Sequence, residues 1–383
     1  AGFQARGVPT HARVAMLSVN RLELVEIALA APYAGLINVP LNVYLKGEFL
    51  RHQLANSAAY AIAVDAQGLQ ELLPILAELP DLRVIILLDD GLTVPNFAGT
   101  VLHYRDLAAD ARDFVPHRCG PLDIYQILYT SGTSGPSKGC MLSHASRVRV
   151  AEHVITILDV RDSDIQICVM PLFHLSGQMD IGVALLTGTP VILEALYSAS
   201  NFFARVRETG ATIVAGVFTA AELLLHQPVS ADDRNHPIRA WLAIPMPAVS
   251  QEKFTARFGI PVVGEMYACT EAMPVATFNL SDHRDHFSRC GVDVDIRKNR
   301  LAAVRESDVA KFDLTSNVVE RNRLLNFVNR GRLVQELEDL LRSGCRRLEL
   351  VVELRQRSDW LEEASDVGDE CDQHADGGLP VHN

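Results

Sequence analysis

The chain has 383 residues, of which 48% are hydrophobic and 21% charged, with a formal net charge of −12 at pH 7. This length allows two or three subdomains, and the composition is that of an ordinary globular protein. The acidic balance, without a basic patch, argues against nonspecific nucleic-acid binding. Seven cysteines without a Cys-x-x-Cys pair predict neither a zinc site nor a disulfide framework, and they favour a reducing, cytoplasmic location.

The N-terminal residues contain neither an initiator Met nor the apolar core of a signal peptide, so we interpret the chain as a candidate fragment. The most membrane-like stretch, residues 27–45, contains Pro32 and Pro40. A buried helix, a turn and a strand fit it better than an integral membrane segment.

Short apolar strands alternate with amphipathic helices along most of the chain. Such alternation predicts parallel, doubly wound α/β sheets. Strands are expected at residues 14–17, 36–39, 61–64, 83–88, 165–170, 190–193 and 211–215. Helices are expected at residues 21–31, 46–55, 179–186, 201–208, 220–226 and 318–341.

The same pattern predicts three regions, with an irregular connection at residues 90–120. They are a first α/β subdomain at 1–119, a second at 120–289, and an atypical tail at 290–383. Residues 356–383 are polar, acidic and glycine-rich, a composition typical of a poorly ordered segment.

The most informative stretch is Tyr129-Thr-Ser-Gly-Thr-Ser-Gly-Pro-Ser-Lys-Gly139, between a predicted strand at 124–128 and a predicted helix at 141–157. Glycines let backbone N–H groups converge, and hydroxyls and a lysine add donors and positive charge, so the loop suits phosphate oxygens. Lys138 follows Gly135 by three residues, which departs from the Walker pattern. By composition alone, an unliganded surface loop stays an alternative.

The whole string resembles the phosphate loop of the adenylate-forming enzymes, a superfamily of acyl-CoA synthetases, peptide-synthetase adenylation domains and luciferases. The resemblance covers about residues 8–290 and is nearest to short- and medium-chain acyl-CoA ligases such as crotonobetaine/carnitine–CoA ligase. It implies two doubly wound, mostly parallel sheets sandwiched by helices, with ATP, Mg²⁺, coenzyme A and a carboxylic acid as ligands. It assigns phosphate binding to Thr130, Ser131, Gly132, Thr133, Ser134, Gly135 and Lys138, with Thr133 also a metal ligand.

Three later segments match the same family in the same order: Met170–Gly177, Val214–Thr219 and Gly264–Glu271. The resemblance implies that Tyr267 stacks on adenine, Thr270 bonds a phosphate oxygen and Glu271 holds Mg²⁺. It places His174, Gly216 and Met266 against the acid, and it makes Lys138, His174, Thr270 and Glu271 catalytic. Taken singly, His174 also fits an ordinary loop histidine, and residues 214–219 fit a core strand followed by a helix cap.

Two departures from the family pattern stand out. Ile244 is β-branched where the family has a small turn beside the nucleotide, and the sequence has no Thr-Gly-Asp segment and no lysine after Lys311. We hypothesise that the chain beyond about Cys290 is not the family's C-terminal region, through a reading-frame shift or a degraded gene. Reading the coding DNA in the other frames tests this.

The leading hypothesis is an AMP-forming acid–thiol ligase. Its substrate is expected to be a plain organic acid: in amino-acid-activating relatives an Asp near this point pairs with the substrate ammonium, whereas the local residues here are His174, Leu175 and Ser176. One alternative is a non-catalytic remnant that binds nucleotide or acyl-adenylate. Another is a helical interaction module in residues 318–354, and a homodimer stays open as an assembly.

Overall fold

The computed structural model describes residues 1–108, 115–130, 135–244 and 246–270, with side chains except at 265 and 267–269. It also describes the backbone of four later strands, at 272–279, 292–295, 300–304 and 309–313. The predicted helix at 318–341 and the tail at 356–383 lie outside the described residues. No helix in the described part combines the length and apolarity that crossing a membrane requires.

Seven strands form the first sheet, in the order β5-β4-β3-β1-β2-β6-β7. All neighbours are parallel except β6 and β7, which form an antiparallel hairpin at one edge. The strands are β1 Arg13–Leu17, β2 Ile37–Pro40, β3 Ala59–Val64, β4 Val84–Leu87, β5 Thr100–His103, β6 Ile124–Thr130 and β7 Lys138–Ser143. The helices of this region are α1 Gly2–Ala5, α2 Leu22–Tyr33, α3 Gly47–Asn56, α4 Ala66–Leu72, a 3-10 helix Leu73–Glu78 and α5 Tyr104–Ala108.

Six strands form the second sheet, in the order β13-β12-β11-β10-β8-β9, again parallel except for an edge pair, β12 and β13. The strands are β8 Gln166–Cys168, β9 Val191–Leu193, β10 Ile213–Val217, β11 Ala240–Ile244, β12 Val262–Cys269 and β13 Ala272–Asn279. Its helices are α6 His144–Leu158, α7 Leu175–Thr187, α8 Phe202–Thr209, α9 Phe218–Leu225 and α10 Ala248–Phe258. The doubly wound α/β fold is confirmed.

Alternate residues of each parallel strand pack into different cores, as strand geometry requires. In the first sheet, Val14 packs with α2, whereas Ala15 packs with α3 and α4. In the second sheet, Trp241 packs with α8 and α10, whereas Leu242 packs with α6 and α7. Helix α7 contributes to two of these cores. Ile181 packs against the core that contains α2, and other α7 residues belong to the core that contains α6.

Several predicted bounds were wrong. The predicted helix at 141–157 begins instead at His144, because residues 138–143 form strand β7. Within the helix predicted at 21–31, the apolar pattern predicts that Leu22 faces inward, but Leu22 is 63% exposed and Leu24 is buried instead. The connection at 90–120 contains β5 and α5, and the hairpin β6–β7 pairs with the first sheet although it falls in the predicted second subdomain. The boundary at 119/120 stays a prediction.

The chain separates into two compact units, residues 1–281 and 282–383. In the second unit, the described strands β14 Val292–Asp295, β15 Arg300–Val304 and β16 Val309–Asp313 form an antiparallel sheet in that order.

Candidate functional site

The predicted phosphate loop joins the two strands of the β6–β7 hairpin rather than a strand and a helix. Thr130 and Lys138 face each other as the last described pair of the hairpin. The Lys138 side chain is exposed, and no described carboxylate forms an ion pair with it. Gly135 has a φ of +143°, a conformation open to glycine but rarely to other residues. The hairpin therefore places a backbone conformation that favours glycine next to an accessible positive charge.

Helix α3 holds this hairpin from one side. His52 Nε2 lies 3.0 Å from the carbonyl oxygen of Ser137, and Gln53 Nε2 donates to Ser137 Oγ at 3.0 Å. On the opposite strand, the Tyr129 hydroxyl donates to the Gln53 carbonyl at 3.0 Å and to Asn56 Oδ1 at 2.8 Å. Both strands beside the loop are thus fixed to one rigid element.

His174 precedes the first residue of α7 and carries extended backbone angles. Its ring packs against Phe173, with centroids 4.6 Å apart. The side chain keeps an exposed surface, yet the surrounding protein desolvates it enough to lower its pKa. A neutral imidazole at physiological pH can accept or donate a hydrogen bond without adding charge.

Asn20 fixes the segment that carries His174. This residue is 7% exposed and follows β1. Its amide nitrogen donates to the carbonyls of Met170 at 2.9 Å and Glu194 at 3.1 Å, and its oxygen accepts from Leu172 N at 2.7 Å. One side chain from the first sheet thus joins the loops that follow β8 and β9 in the second.

Helix α6 connects the phosphate hairpin with the strands of the predicted adenine segment. It follows β7 directly, and along its length it contacts β7, β12 and β13. Tyr267 lies in β12 and Thr270 just after that strand. Met266 is fully buried, and its side chain packs inside the α6–α7 core rather than lying on an open surface.

Gly216 lies in β10 beside β11. A Cβ atom at this position would lie 2.9 Å from Cζ2 of Trp241, which is fully buried. The space in front of the glycine is therefore occupied by indole, and its contact with an acid stays a prediction. Ile244 pairs with Val217 and packs against the α6–α7 core.

The remaining predicted ligands cannot be placed. Ser131, Gly132, Thr133, Ser134 and Glu271 lie outside the described residues. Both proposed metal ligands, Thr133 and Glu271, are in this set. Within the described ranges, no group of three or more His, Cys, Asp or Glu residues could hold a metal ion.

A cavity of about 290 Å³ opens among loops that follow strands of both sheets. Asn20, Phe173, Val217 and Thr219 line it, together with apolar residues of the loops after β2 and β9. Two segments that the family resemblance assigned to the acyl site, 170–177 and 214–219, thus border one cavity. Ligands of open α/β sheets bind outside the carboxyl ends of the strands, where this cavity lies.

The sequence model of the family described as "AMP-binding enzyme" matches residues 1–305. The chain belongs to the AMP-binding enzyme family. The match covers both large sheets and continues past Cys290, where the sequence changes character.

Two curated relatives illustrate the range of this family. The chain is 28% identical over 272 residues to long-chain fatty acid transport protein 1 of Mus musculus, covering 67% of this chain and 40% of the relative. It is 27% identical over 277 residues to crotonobetaine/carnitine–CoA ligase of Escherichia coli O45:K1, covering 71% of this chain and 53% of the relative. The chain thus spans about half the length of these relatives or less.

Among solved structures, the fold is similar to that of ATP-bound MatB from Rhodopseudomonas palustris. The TM-score is 0.63 at 24% identity, covering 74% of this chain and 54% of MatB. This likeness confirms the fold of an adenylate-forming N-terminal region.

Sequence reasoning missed the residues that support the candidate site. His52 and Gln53 lie 84 or more positions from Ser137, and Asn20 lies 150 or more from the residues it holds. Polar side chains on α3 or after β1 carry no local signal for such contacts. Only the topology, which brings these elements together, reveals them.

Proposed function

We propose that this chain activates a carboxylic acid with ATP and transfers the acyl group to coenzyme A. A carboxylate oxygen attacks the α-phosphorus, pyrophosphate leaves, and acyl-AMP forms. The thiol of coenzyme A then attacks the acyl carbon, loses its proton, and AMP leaves. In this proposal ATP enters with magnesium, for which Thr133 and Glu271 are the ligands.

The observation that carries this proposal is the anchored β6–β7 hairpin. Its strands hold Thr130 opposite an exposed Lys138, and α3 fixes Ser137 in between. A positive charge held in place before the substrate binds stabilises negative charge as it develops on the phosphates. In this proposal Tyr267 acts from β12 and Thr270 from the position just after it, and α6 links this strand to the same hairpin.

The surroundings of His174 favour an acid without an α-ammonium group. The first residues of α7 are Leu175 and Ser176. Asp180, farther along this helix, is buried, and burial raises its pKa to about 8. A carboxyl that is largely protonated at neutral pH does not balance an ammonium ion. In the proposed site, His174 and Gly216 border the acid and Met266 backs it.

A second candidate is nucleotide binding without catalysis. The region after Glu271 carries no Thr-Gly-Asp segment, whose groups the family resemblance gives to the reacting geometry, and this favours it. Their loss lowers rate more than binding. For either candidate we propose a cytoplasmic location, which the free thiols of Cys119 and Cys168 fit. A homodimer stays a prediction.

Two measurements on one preparation separate the candidates: binding of MgATP by calorimetry, and ATP–pyrophosphate exchange with a panel of short organic acids. Exchange supports the ligase, and binding without exchange supports the remnant. Lys138→Ala should weaken MgATP binding, while Lys253→Ala, an exposed lysine on α10, should not. Unchanged affinity in Lys138→Ala would remove this lysine from the phosphate site.

A further inference from the structure

A second cavity, of about 40 Å³, lies where α2 and the first sheet meet α6 and α7. Its walls are mainly apolar and include Leu24, Val25, Ala28 and Ile181. Of the residues assigned to nucleotide, metal or acid, none lines it. This space is therefore a second cavity next to the site proposed above, and Phe173 lines both.

Three polar atoms in the wall of this cavity have no hydrogen-bond partner. They are Gln126 Nε2, Arg147 Nη1 and Gln178 Oε1, and each is buried from solvent. They come from three different elements, β6, α6 and α7. Buried polar atoms in native proteins are nearly always paired, so three unpaired atoms around one cavity indicate a ligand that pairs with them.

The charge of Arg147 narrows the choice of ligand. Its Nη2 donates to the Gln178 carbonyl at 3.0 Å, and its guanidinium carbon lies 5.5 Å from the centre of the Tyr125 ring. No carboxylate among the described residues forms an ion pair with it. Arg147 is partly exposed, but its Nη1 atom is buried, and a cation withdrawn from water without a counter-ion is unfavourable. The missing partner is thus expected to be an anion.

We propose that this cavity binds a small carboxylate of the size of acetate. Its oxygens accept from Arg147 Nη1 and Gln126 Nε2, and an accompanying water donates to Gln178 Oε1. A volume of about 40 Å³ is that of roughly three water-sized spheres, since one water needs about 10–15 Å³. The apolar walls suit a methyl group, which chloride and phosphate lack.

The proposed ligand lies directly behind the segment that carries His174. Phe173 lines the cavity, and Gln178 Nε2 donates to the Leu172 carbonyl at 2.8 Å. A bound carboxylate would therefore fix Gln178 and, through it, the start of α7.

The test is a titration of the purified chain with ¹³C-labelled acetate, followed by NMR and by the midpoint of thermal unfolding. Acetamide, which has the same shape without charge, and chloride and phosphate at matched ionic strength are the comparison ligands. We expect saturable binding and a raised midpoint with acetate alone. Arg147→Met should weaken acetate binding at least tenfold, because the counter-charge is gone. Arg149→Met, an exposed arginine on the same helix, should bind as the wild type does.

A second variant keeps the proposal testable if Arg147→Met fails to fold. Gln126→Glu places a carboxylate inside the cavity, so it should raise the unfolding midpoint and abolish the response to acetate. Three results would overturn the proposal. The first is that the wild type shows no saturable acetate binding, which means that water alone fills the cavity. The second is that Arg147→Met or Gln126→Glu responds to acetate as strongly as the wild type does. The third is that chloride, phosphate or acetamide gives the wild type the same response as acetate.

Discussion

The amino and carboxyl ends of the parallel strands use polar groups in opposite ways. Just before β8, β10 and β11, the residues Asp164, Thr212 and Arg239 form one closed network. Arg239 Nε and the Thr212 hydroxyl each donate to Asp164 Oδ1 at 2.8 Å, and Asp164 is 2% exposed. At the carboxyl ends, Lys138 beside β6 and His174 after β8 keep exposed side chains. The network at the amino ends is saturated by the protein itself, whereas Lys138 and His174 at the carboxyl ends stay accessible to solvent.

The largest effect is expected at the carboxyl ends. Removing one preorganised donor to a developing negative charge costs about 10²–10³-fold in rate. We therefore expect Lys138→Ala to lower ATP–pyrophosphate exchange by that factor, and Thr270→Val to lower it less. If both side chains contact the same nucleotide, the double variant should lose less than the product of the single losses, with a coupling of about 0.5–3 kcal/mol. Effects that multiply would mean that the hairpins β6–β7 and β12–β13 act independently.

At the amino ends, Asp164→Asn should cost about 3 kcal/mol of unfolding free energy without a specific effect on MgATP affinity. Removing one partner of a buried ion pair leaves Arg239 uncompensated. Urea unfolding at pH 7 measures the loss. Asp159→Asn is the matched control, because its carboxylate forms an exposed pair with Arg161, while its carbonyl, which accepts from Arg239 Nη2 at 2.8 Å, is kept; stability should change little. A drop in MgATP affinity at unchanged stability would contradict the division between the two ends.

The same variant has a pH signature. Burial alone raises the pKa of Asp164, but hydrogen bonds from Arg239, Arg161 N and the Thr212 hydroxyl outweigh it, and the pKa lies below its ordinary value. A carboxyl group whose pKa is lower in the folded than in the unfolded protein stabilises the folded state at pH values above the unfolded pKa, about 3.9. This stabilisation is lost as the pH falls through the folded pKa. The stability difference between wild type and Asp164→Asn should therefore be full at neutral pH and shrink below about pH 4.

A smaller effect is expected inside the second sheet. Gly216→Ala places a Cβ 2.9 Å from the Trp241 ring and should cost about 1–3 kcal/mol of unfolding free energy through overpacking. Trp241→Phe in the same background should recover part of the loss because the ring is smaller. Gly120→Ala, where the nearest atom is 3.5 Å away, is the control. If Gly216→Ala instead leaves stability unchanged and alters the preference among acids, this glycine borders the substrate as the family resemblance implies.

The sequence predicts those elements of the fold that have a local pattern, and it does not predict contacts between residues distant in sequence. Val84–Leu87 is recognisable as a strand because burial on both faces leaves a continuous apolar run. Strand β7 was missed because its exposed edge position produces no such run, although a local signal marks its end: the Ser143 hydroxyl accepts from Ser146 N, a typical N-cap. The contacts of Asn20, and the unpaired atoms in the wall of the 40 Å³ cavity, arise only when elements distant in sequence meet. No local sequence pattern therefore predicts them.

The smallest expected effect concerns the support of the phosphate hairpin. Gln53→Ala removes the hydrogen bond to Ser137 Oγ, a neutral bond that contributes about 1 kcal/mol. If this bond positions the loop, the KM for MgATP in the exchange assay should rise about fivefold at nearly unchanged kcat. Ser137→Ala should reproduce this, and the double variant should be no worse than either single one. Arg51→Ala on the same helix, whose ion pairs are with Glu48 and Glu78, is the control. If both single variants lose unfolding free energy at unchanged KM for MgATP, the bond stabilises the hairpin without positioning the loop. A positioning role requires that removing the bond changes the KM for MgATP.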